Sequence, residues 1–341
     1  MHQNEENLQV FNTLHQHIRQ AGLLRKKSRY YDWVIARNIL MFITIIACAF
    51  FVEKFSGLFV FQIPIAIGLG FVFGQFAFLA HDTGHEQITS NIFPLAIIRY
   101  FSNVFLYTSL TGWRIKHDLH HLEPNNSMLD PDCHMPMLAF TPEQAKTARG
   151  ISRFFVKYQP YFFLPIATMT AISMRFTGIC FLLRTKHPKT VLELIISAIS
   201  FVAYVVLWMT LFGINKALIF MITSELAFGL YMGMAFIINH CGRSCEPRVK
   251  TDFLIKQVET ARNIMSLWKP LDTFIHFVFG GLNCQIEHHL WPYMPRCNLR
   301  KAREIVRAYC RQNNIDYHAV SLAQTYKEVF SHFSRISRFV Q

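Results

Sequence analysis

Residues 58–85 read LFVFQIPIAIGLGFVFGQFAFLA followed directly by HDTGH. The first part, residues 58–80, contains no charged side chain. Crossing the hydrocarbon core of a bilayer, about 30 Å thick, takes about 20 apolar residues in a helix. The stretch therefore predicts a transmembrane helix that ends beside two histidines, His81 and His85.

Three further stretches are long and apolar enough to cross a bilayer, namely residues 34–52, 190–212 and 217–238. Only a few residues link the first span to the second and the third to the fourth, so neither link can hold a domain. We therefore predict an all-α integral membrane fold with four transmembrane helices in two hairpins. The run 161–183 is bracketed by Pro160 and basic residues, which favours a re-entrant or interfacial helix over a fifth crossing.

The net charge of +13 lies outside the spans, mainly near the start of the chain, in the middle and at the end. Basic residues close to spans stay in the cytoplasm. Residues 1–33, 81–189 and 239–341 are therefore expected to be cytosolic, with the last two forming a helical cap on a single membrane domain, 1–341. We assign these charges to contact with anionic lipid headgroups of the bilayer and none to nucleic acid.

Two acidic residues fall inside the predicted spans, Glu193 and Glu225. A carboxylate within a span is costly. Each therefore has either a buried partner or a depth near the membrane interface.

Half of the sixteen histidines cluster in four places. These eight are His81 and His85, then His117, His120 and His121, then His240, then His288 and His289. Offsets of three and four residues stack side chains on one helix face, whereas neighbours diverge by about 100°. A His-x-x-His-His turn can therefore serve two metals.

Imidazole binds iron, copper, zinc and nickel, so residue type alone does not name the metal. A catalytic zinc takes three protein ligands and a structural zinc takes four. Eight clustered histidines exceed the need of one ion and indicate two metals with open positions, most economically two redox-active irons. Soluble di-iron bundles use Glu-x-x-His motifs, which this sequence lacks.

At these residues the sequence resembles the membrane fatty acid desaturases, whose three histidine boxes are H-x(3-4)-H, H-x(2-3)-H-H and (H/Q)-x(2-3)-H-H. The most specific stretch is residues 280–292, GGLNCQIEHHLWP, which is similar to the subfamily with glutamine in the third box. Pro124-Asn125 and Asp130-Pro131-Asp132 after the second box are also typical of the family. The resemblance covers the chain from about Arg37 onward.

The resemblance implies that the eight clustered histidines bind two iron ions, His240 being a ligand outside the boxes. Gln285 replaces a histidine and is expected near the metals. Asp82, Asp118 and Glu287 adjoin ligands, where carboxylates commonly accept the second imidazole N–H. We expect no catalytic residue beyond the metal ligands.

The implied reaction is O2-dependent insertion of a cis double bond into a fatty acyl chain, carried as acyl-CoA or linked to a lipid or carrier protein. Only about 33 residues precede the first span, so electrons are expected from a separate donor of the cytochrome b5 or ferredoxin type. A hydroxylase could use the same ligands, because the two outcomes diverge only after the first hydrogen is removed. The position of the double bond stays open.

Two other classes of protein are weaker alternatives. A zinc metallohydrolase of the His-Glu-x-x-His type fails because Thr89 stands four residues after His85. A histidine-rich metal transporter would place ionisable residues along its spans, whereas these clusters lie beyond the span ends.

Overall fold

The computed structural model describes residues 2–245 and 252–340. Residues 1, 246–251 and 341, which belong to the predicted cytosolic segments, lie outside the described part. The chain is mostly helical. Its helices are α1 (His2–Gln20), α2 (Ser28–Phe55), α3 (Gln62–Gly84), α4 (Ile92–Leu106), α5 (Leu110–Leu122), α6 (Pro142–Thr147), α7 (Gly150–Lys157), α8 (Gln159–Thr168), α9 (Thr170–Arg184), α10 (Pro188–Phe212), α11 (Ile214–His240), α12 (Phe253–Glu259), α13 (Lys269–Val278), α14 (Gln285–Leu290), α15 (Arg296–Gln312) and α16 (Leu322–Ser337). Two 3-10 turns, Phe59–Phe61 and Pro131–Cys133, and two short strands, β1 (Asn263–Ile264) and β2 (Ala319–Val320), complete the described elements.

Four helical segments in the described ranges are long and apolar enough to cross a membrane: α2, Phe59–Gly84, α10 and α11. The four predicted spans are therefore confirmed as apolar helices. Each helix extends beyond its predicted span, because hydropathy marks only the apolar part while the backbone hydrogen bonds continue into polar residues. Pairing into hairpins and the cytosolic side of the connecting segments stay predictions.

The run 161–183 is not one straight helix. It falls into α8 and α9, which meet at an angle of 59°. Pro165 lies inside α8 and cannot donate a backbone hydrogen bond there. The bend is compatible with a broken span or a re-entrant loop, the second of which the sequence predicts.

By its internal contacts the chain divides into two compact units. We call residues 27–115 and 164–234 the span unit, and residues 1–26, 116–163 and 235–341 the histidine unit. Helix α5 begins in the span unit and ends in the histidine unit, and α8 and α11 also run from one set of residues into the other.

The span unit has an aromatic core. Helix α3 packs against α2 and α4, and α10 packs against α4 and α9. Phe76 stacks on Phe105 with ring centroids 3.7 Å apart, and Trp208 of α10 meets Phe220 of α11 at 4.3 Å. Such ring pairs bury large apolar areas between the helices.

The histidine unit packs α1, α12, α14 and α15 around a buried Trp291, which follows the third histidine box. The strands β1 and β2 pair in parallel, and the Asn263 N–H donates to the His318 carbonyl at 2.9 Å. The Asn263 side chain also accepts from the Ile286 N–H and donates to the Glu287 carboxylate. This buried asparagine therefore holds the start of α14, the helix that carries His288 and His289.

Candidate metal centre

Helix α5 presents its three histidines in the way that its sequence spacing predicts. His117 and His121 lie one turn apart, with ring centroids at 4.6 Å and their Nε2 atoms 3.1 Å apart. The neighbouring rings of His120 and His121 are 5.8 Å apart and inclined by 80°. One turn of this helix therefore directs imidazoles in two directions.

In the histidine unit, the rings of His120, His240 and His289 form a first trio. The three centroid separations are 4.8, 5.0 and 4.8 Å, and one ring nitrogen from each residue lies within 4.8 Å of the others. Three helices, α5, α11 and α14, contribute one residue each. Side chains far apart in the sequence thus converge on one buried point.

Every imidazole of the first trio directs its Nδ1 atom at an oxygen. His120 Nδ1 lies 2.8 Å from the Asp130 carboxylate, His240 Nδ1 lies 2.9 Å from the Thr260 carbonyl, and His289 Nδ1 lies 2.9 Å from Gln257 Oε1. Carboxylates and carbonyls only accept hydrogen bonds, so Nδ1 is the protonated nitrogen in His120 and His240. In each neutral ring, the Nε2 lone pair is then available to a metal.

The orientation of the Gln257 amide is fixed from its other side. Its Nε2 atom donates to the His121 backbone carbonyl at 3.0 Å, which leaves Oε1 to accept from His289. His289 therefore has the same tautomer as the other two rings. A single glutamine of α12 orients one histidine and touches the backbone of the second box.

A second trio in the same unit consists of His117, His121 and His288. One ring nitrogen from each lies within 4.8 Å of the others, and the centroids of His121 and His288 are 4.7 Å apart. The His121 ring also stacks on His289 at 4.2 Å, so the two trios adjoin. Two neighbouring sets of nitrogen donors can hold two metal ions.

His81 and His85 belong to the span unit, where they lie together at the end of α3. Their ring centroids are 4.7 Å apart, and both rings contact Trp113. Helix α3 ends at Gly84, and His85 occupies its C-cap position. The two imidazoles nevertheless share one local site.

The residues predicted to support the ligands occupy different surroundings. Gln285 Nε2 lies 3.1 Å from His240 Nε2, and Asp82 Oδ1 lies 3.4 Å from His81 Nδ1. Asp118 is exposed. The Glu287 carboxylate is buried and accepts hydrogen bonds from Tyr317 and Asn263.

Three oxygens that orient the first trio were not predicted as such: the carboxylate of Asp130, the amide of Gln257 and the carbonyl of Thr260. Asp130 lies in the Asp130-Pro131-Asp132 sequence, which offered a signal of its importance. Its carboxylate also accepts from the Asn125 N–H at 2.7 Å, so the loop after α5 is fixed around it. Residues 260–264 also resemble the family, but at Thr260 it is the backbone carbonyl that makes the contact, and Gln257 carries no sequence signal.

Burial and hydrogen bonding act in opposite directions on the ionisable groups of this region. Burial lowers the pKa of His120, but the hydrogen bond and negative charge of Asp130 outweigh it, so the pKa is raised. Burial raises the pKa of Glu287 to about 7 despite the hydrogen bonds from Tyr317 and Asn263. Asp130 thus makes the His120 ring more basic, which strengthens a ligand.

The donor set suits transition metals that accept neutral nitrogen ligands, and it offers few of the oxygen ligands that calcium or magnesium need. Buried imidazoles held in one tautomer by oxygen acceptors are the usual arrangement around a bound metal. Fold and site together define a helical membrane protein with a histidine cluster able to hold metal.

Comparison with known proteins identifies the family. The sequence model of the fatty acid desaturases matches residues 56–321. The chain is 28% identical over 322 residues to a Delta(8)-fatty-acid desaturase of Helianthus annuus, covering 89% of this chain and 67% of that protein. It is 26% identical over 334 residues to the Delta(6)-fatty-acid desaturase fat-3 of Caenorhabditis elegans, covering 92% and 72%. It is also 27% identical over 299 residues to a Delta 8-(E)-sphingolipid desaturase of Emericella nidulans, covering 81% and 54%. The chain belongs to the fatty acid desaturase family and is an oxidoreductase, as its histidine boxes predict.

Proposed function

We propose that this protein introduces a cis double bond into a fatty acyl chain, in an O2-dependent reaction at a histidine-ligated di-iron centre on the cytosolic side of the membrane. The observation that carries the proposal is the first trio, in which three imidazoles from three helices share one tautomer and converge within 4.8 Å. Such preorganisation has no purpose in packing alone, since apolar side chains would fill the same space at lower cost.

We assign the eight clustered histidines as the iron ligands. His120, His240 and His289 form the set for one ion, and His117, His121 and His288 belong to the set for the other. His81 and His85 complete the ligands, on the strength of their local pairing and of the first histidine box that they form. When bound, the two irons supply the redox chemistry with O2 that breaks an unactivated C–H bond, which acid-base groups cannot do.

Other residues of this chain orient the ligands. The Nδ1–H groups of the first trio donate hydrogen bonds to Asp130, Gln257 and the Thr260 carbonyl. These bonds hold each proton on Nδ1 and leave the Nε2 lone pairs directed at the centre of the trio. Gln285, beside His240, occupies the position of a third-box histidine, and we assign it to a contact near the metals. We assign the supply of electrons to a donor of the cytochrome b5 or ferredoxin type.

The substrate class follows from the relatives, whose names assign them to fatty-acid and sphingolipid desaturation. We therefore propose an acyl chain bound to CoA or to a membrane lipid, entering among the apolar helices of the span unit. Both carriers present the same methylene chain, and the test below distinguishes them.

The test combines metal analysis with product analysis. The purified protein should contain two irons per chain, and expression in a host with a simple lipid profile should yield acyl chains two hydrogens lighter than their precursors. Supplying labelled acyl-CoA or labelled phospholipid distinguishes the carriers. One zinc without iron, or products that gain an oxygen atom, would sink the desaturase assignment, the latter in favour of a hydroxylase.

A further inference from the structure

We propose that Glu193, a carboxylate near the start of the candidate span α10, positions helix α5 and through it the histidines of the second box. The metal-related part of this inference rests on the proposed function, whereas the helix-anchoring part stands independently. Glu193 is therefore a positioning residue that acts without touching the histidines itself.

The Glu193 side chain is 1% exposed and is the centre of a polar network in the span unit. Its Oε2 atom accepts from the Ser109 hydroxyl at 3.0 Å and from the Thr111 N–H at 3.1 Å. Its Oε1 atom accepts from the Thr111 hydroxyl at 2.6 Å and from Arg99 Nη2 at 3.3 Å. Four donors thus converge on one carboxylate, three of them from the first residues of α5 and the position before it.

This carboxylate does the work of a helix cap. The first N–H groups of a helix have no partner within the helix, and the helix dipole favours a negative charge there. Glu193 accepts from the Thr111 N–H directly, and Ser109, which donates to Glu193, accepts from the Gly112 N–H at 2.9 Å. A residue of α10 therefore completes the start of α5.

The turn before α5 is held by the same face of α10 and by α9. Ser197, four residues after Glu193, accepts from Asn103 Nδ2 at 3.1 Å, and Asn103 Oδ1 accepts from the Thr108 N–H at 3.3 Å. A Cβ atom added to Gly178 of α9 would overlap Thr108 Oγ1 and lie 2.7 Å from the Ser109 nitrogen. The backbone at residues 108–109 is thereby fixed from two helices.

The anchored end lies close to the histidines along one continuous helix. His117 follows Thr111 by six residues, fewer than two turns at 3.6 residues per turn. A helix that frays or rotates at its start changes the direction of the side chains in the following turns, because each residue advances by about 100°. The anchor at Glu193 therefore sets how α5 directs its imidazoles.

The experiment compares Glu193→Ala and Glu193→Gln with the wild-type full-length protein, and uses Glu53→Gln as the matched control. Glu53 makes its ion pair with Lys216 at 2.7 Å, near the other end of the span sequences. Hydrogen exchange of the amides of residues 109–116 reports the anchor, in protein stripped of metal by a chelator. Iron per chain after reloading and the unfolding midpoint in detergent are measured on the same samples.

For Glu193→Ala we expect faster exchange at residues 109–116 and less iron per chain after reloading than in the wild type. Glu193→Gln retains one acceptor oxygen and should recover most of the protection and the iron. Glu53→Gln should match the wild type in both measurements. If the Glu193 substitutions cause a general structural defect instead, the unfolding midpoint should fall in Glu193→Gln as well as in Glu193→Ala. Faster exchange would then not be confined to residues 109–116.

Wild-type exchange and wild-type iron affinity in Glu193→Ala would overturn the inference and leave the proposed function intact. If Glu193→Ala does not fold, the test passes to Glu193→Gln combined with substitutions of Arg99 and Ser109, which remove their contacts with residue 193. Exchange and iron content equal to the wild type in that combined variant would also overturn the inference. Wild-type protein that binds no iron would instead defeat the proposed function, and the exchange measurement would still decide whether Glu193 anchors α5.

Discussion

In the span unit, the buried carboxylates of Glu193 and Glu225 face guanidinium groups, whereas in the histidine unit the buried carboxylate of Asp130 faces an imidazole. Arg175 pairs with Glu225 and lies over the Tyr107 ring at 4.7 Å, and Arg99 pairs with Glu193. An ion pair neutralises charge within an apolar environment and holds backbone in place. A carboxylate on imidazole leaves a basic nitrogen facing a ligand site. Buried acids thus serve different ends here: those that face guanidinium groups serve assembly, and the one that faces an imidazole serves chemistry.

The largest loss of activity should come from replacing histidines of the histidine unit. His120→Ala or His289→Ala should abolish desaturation, since each removes one of three converging nitrogens of the first trio. Membrane insertion should persist, because neither imidazole supports a span. Acyl-chain analysis of the expression host measures the loss, and His17→Ala, at an exposed position of α1, is the control. Retained turnover in either variant would count against the ligand assignment.

A large loss of stability should follow from breaking an ion pair of the span unit. Arg175→Met leaves Glu225 buried without its charge partner, which costs about 3–5 kcal/mol. The double variant Arg175→Met with Glu225→Leu should recover most of that loss, because it removes both charges. Unfolding midpoints in detergent measure both variants. A double variant as unstable as the single one would show that the pair does more than neutralise charge.

A smaller effect should come from the acid that faces an imidazole. Asp130→Asn keeps an acceptor oxygen for His120 but removes the charge, and we expect metal affinity to fall by roughly 10–100-fold. Iron titration of the stripped protein measures the change. Asp118→Asn, which changes the exposed acid next to His117, should lower metal affinity less. The reverse order would indicate that adjacency in sequence matters more than the contact with His120.

The smallest effect concerns pH and His276, which lies between Asn283 Oδ1 and the Arg296 carbonyl in the histidine unit. Burial, together with the charges of Arg296 and Arg300, lowers the pKa of His276 to about 4. In the unfolded chain this histidine becomes protonated near pH 6.5, whereas in the folded chain it becomes protonated only near pH 4. The free energy of unfolding therefore falls as the pH is lowered between these values. Between pH 7.5 and pH 5 the loss should be about 1–2 kcal/mol.

His276→Gln should remove this part of the pH dependence, which unfolding midpoints at the two pH values will measure. His17→Gln is the matched control, since it changes an exposed histidine of the same unit. An unchanged pH dependence in His276→Gln would show that other groups account for it.

The spans and the clustered histidines were predictable because both signals are local. A run of apolar residues and an offset of three or four residues describe one helix, whatever its neighbours are. The hydrogen-bond partners of the imidazoles were harder to predict, since they lie 10, 20 and 32 residues from the histidines that they orient. A glutamine or a backbone carbonyl at such a distance leaves no pattern in a single sequence.

Glu287 illustrates why adjacency misleads. It precedes His288 in α14, and a neighbouring residue on a helix points about 100° away. Its carboxylate accordingly meets Tyr317 and Asn263. Glu193 illustrates the opposite case, because its cost inside a span predicted a buried partner as one of two outcomes, and Arg99 is that partner.

The two-residue pairing of β1 with β2 makes the tail of the polypeptide part of how the third box is supported. Ala319 pairs with Asn263, the asparagine that steadies the first turn of α14. A shortened version ending near residue 317 would lose that strand, and His288 and His289 would stand on a helix with one support fewer. Loss of activity in such a truncation would reflect the removal of supporting structure, β2 together with α16, even though no ligand had been deleted.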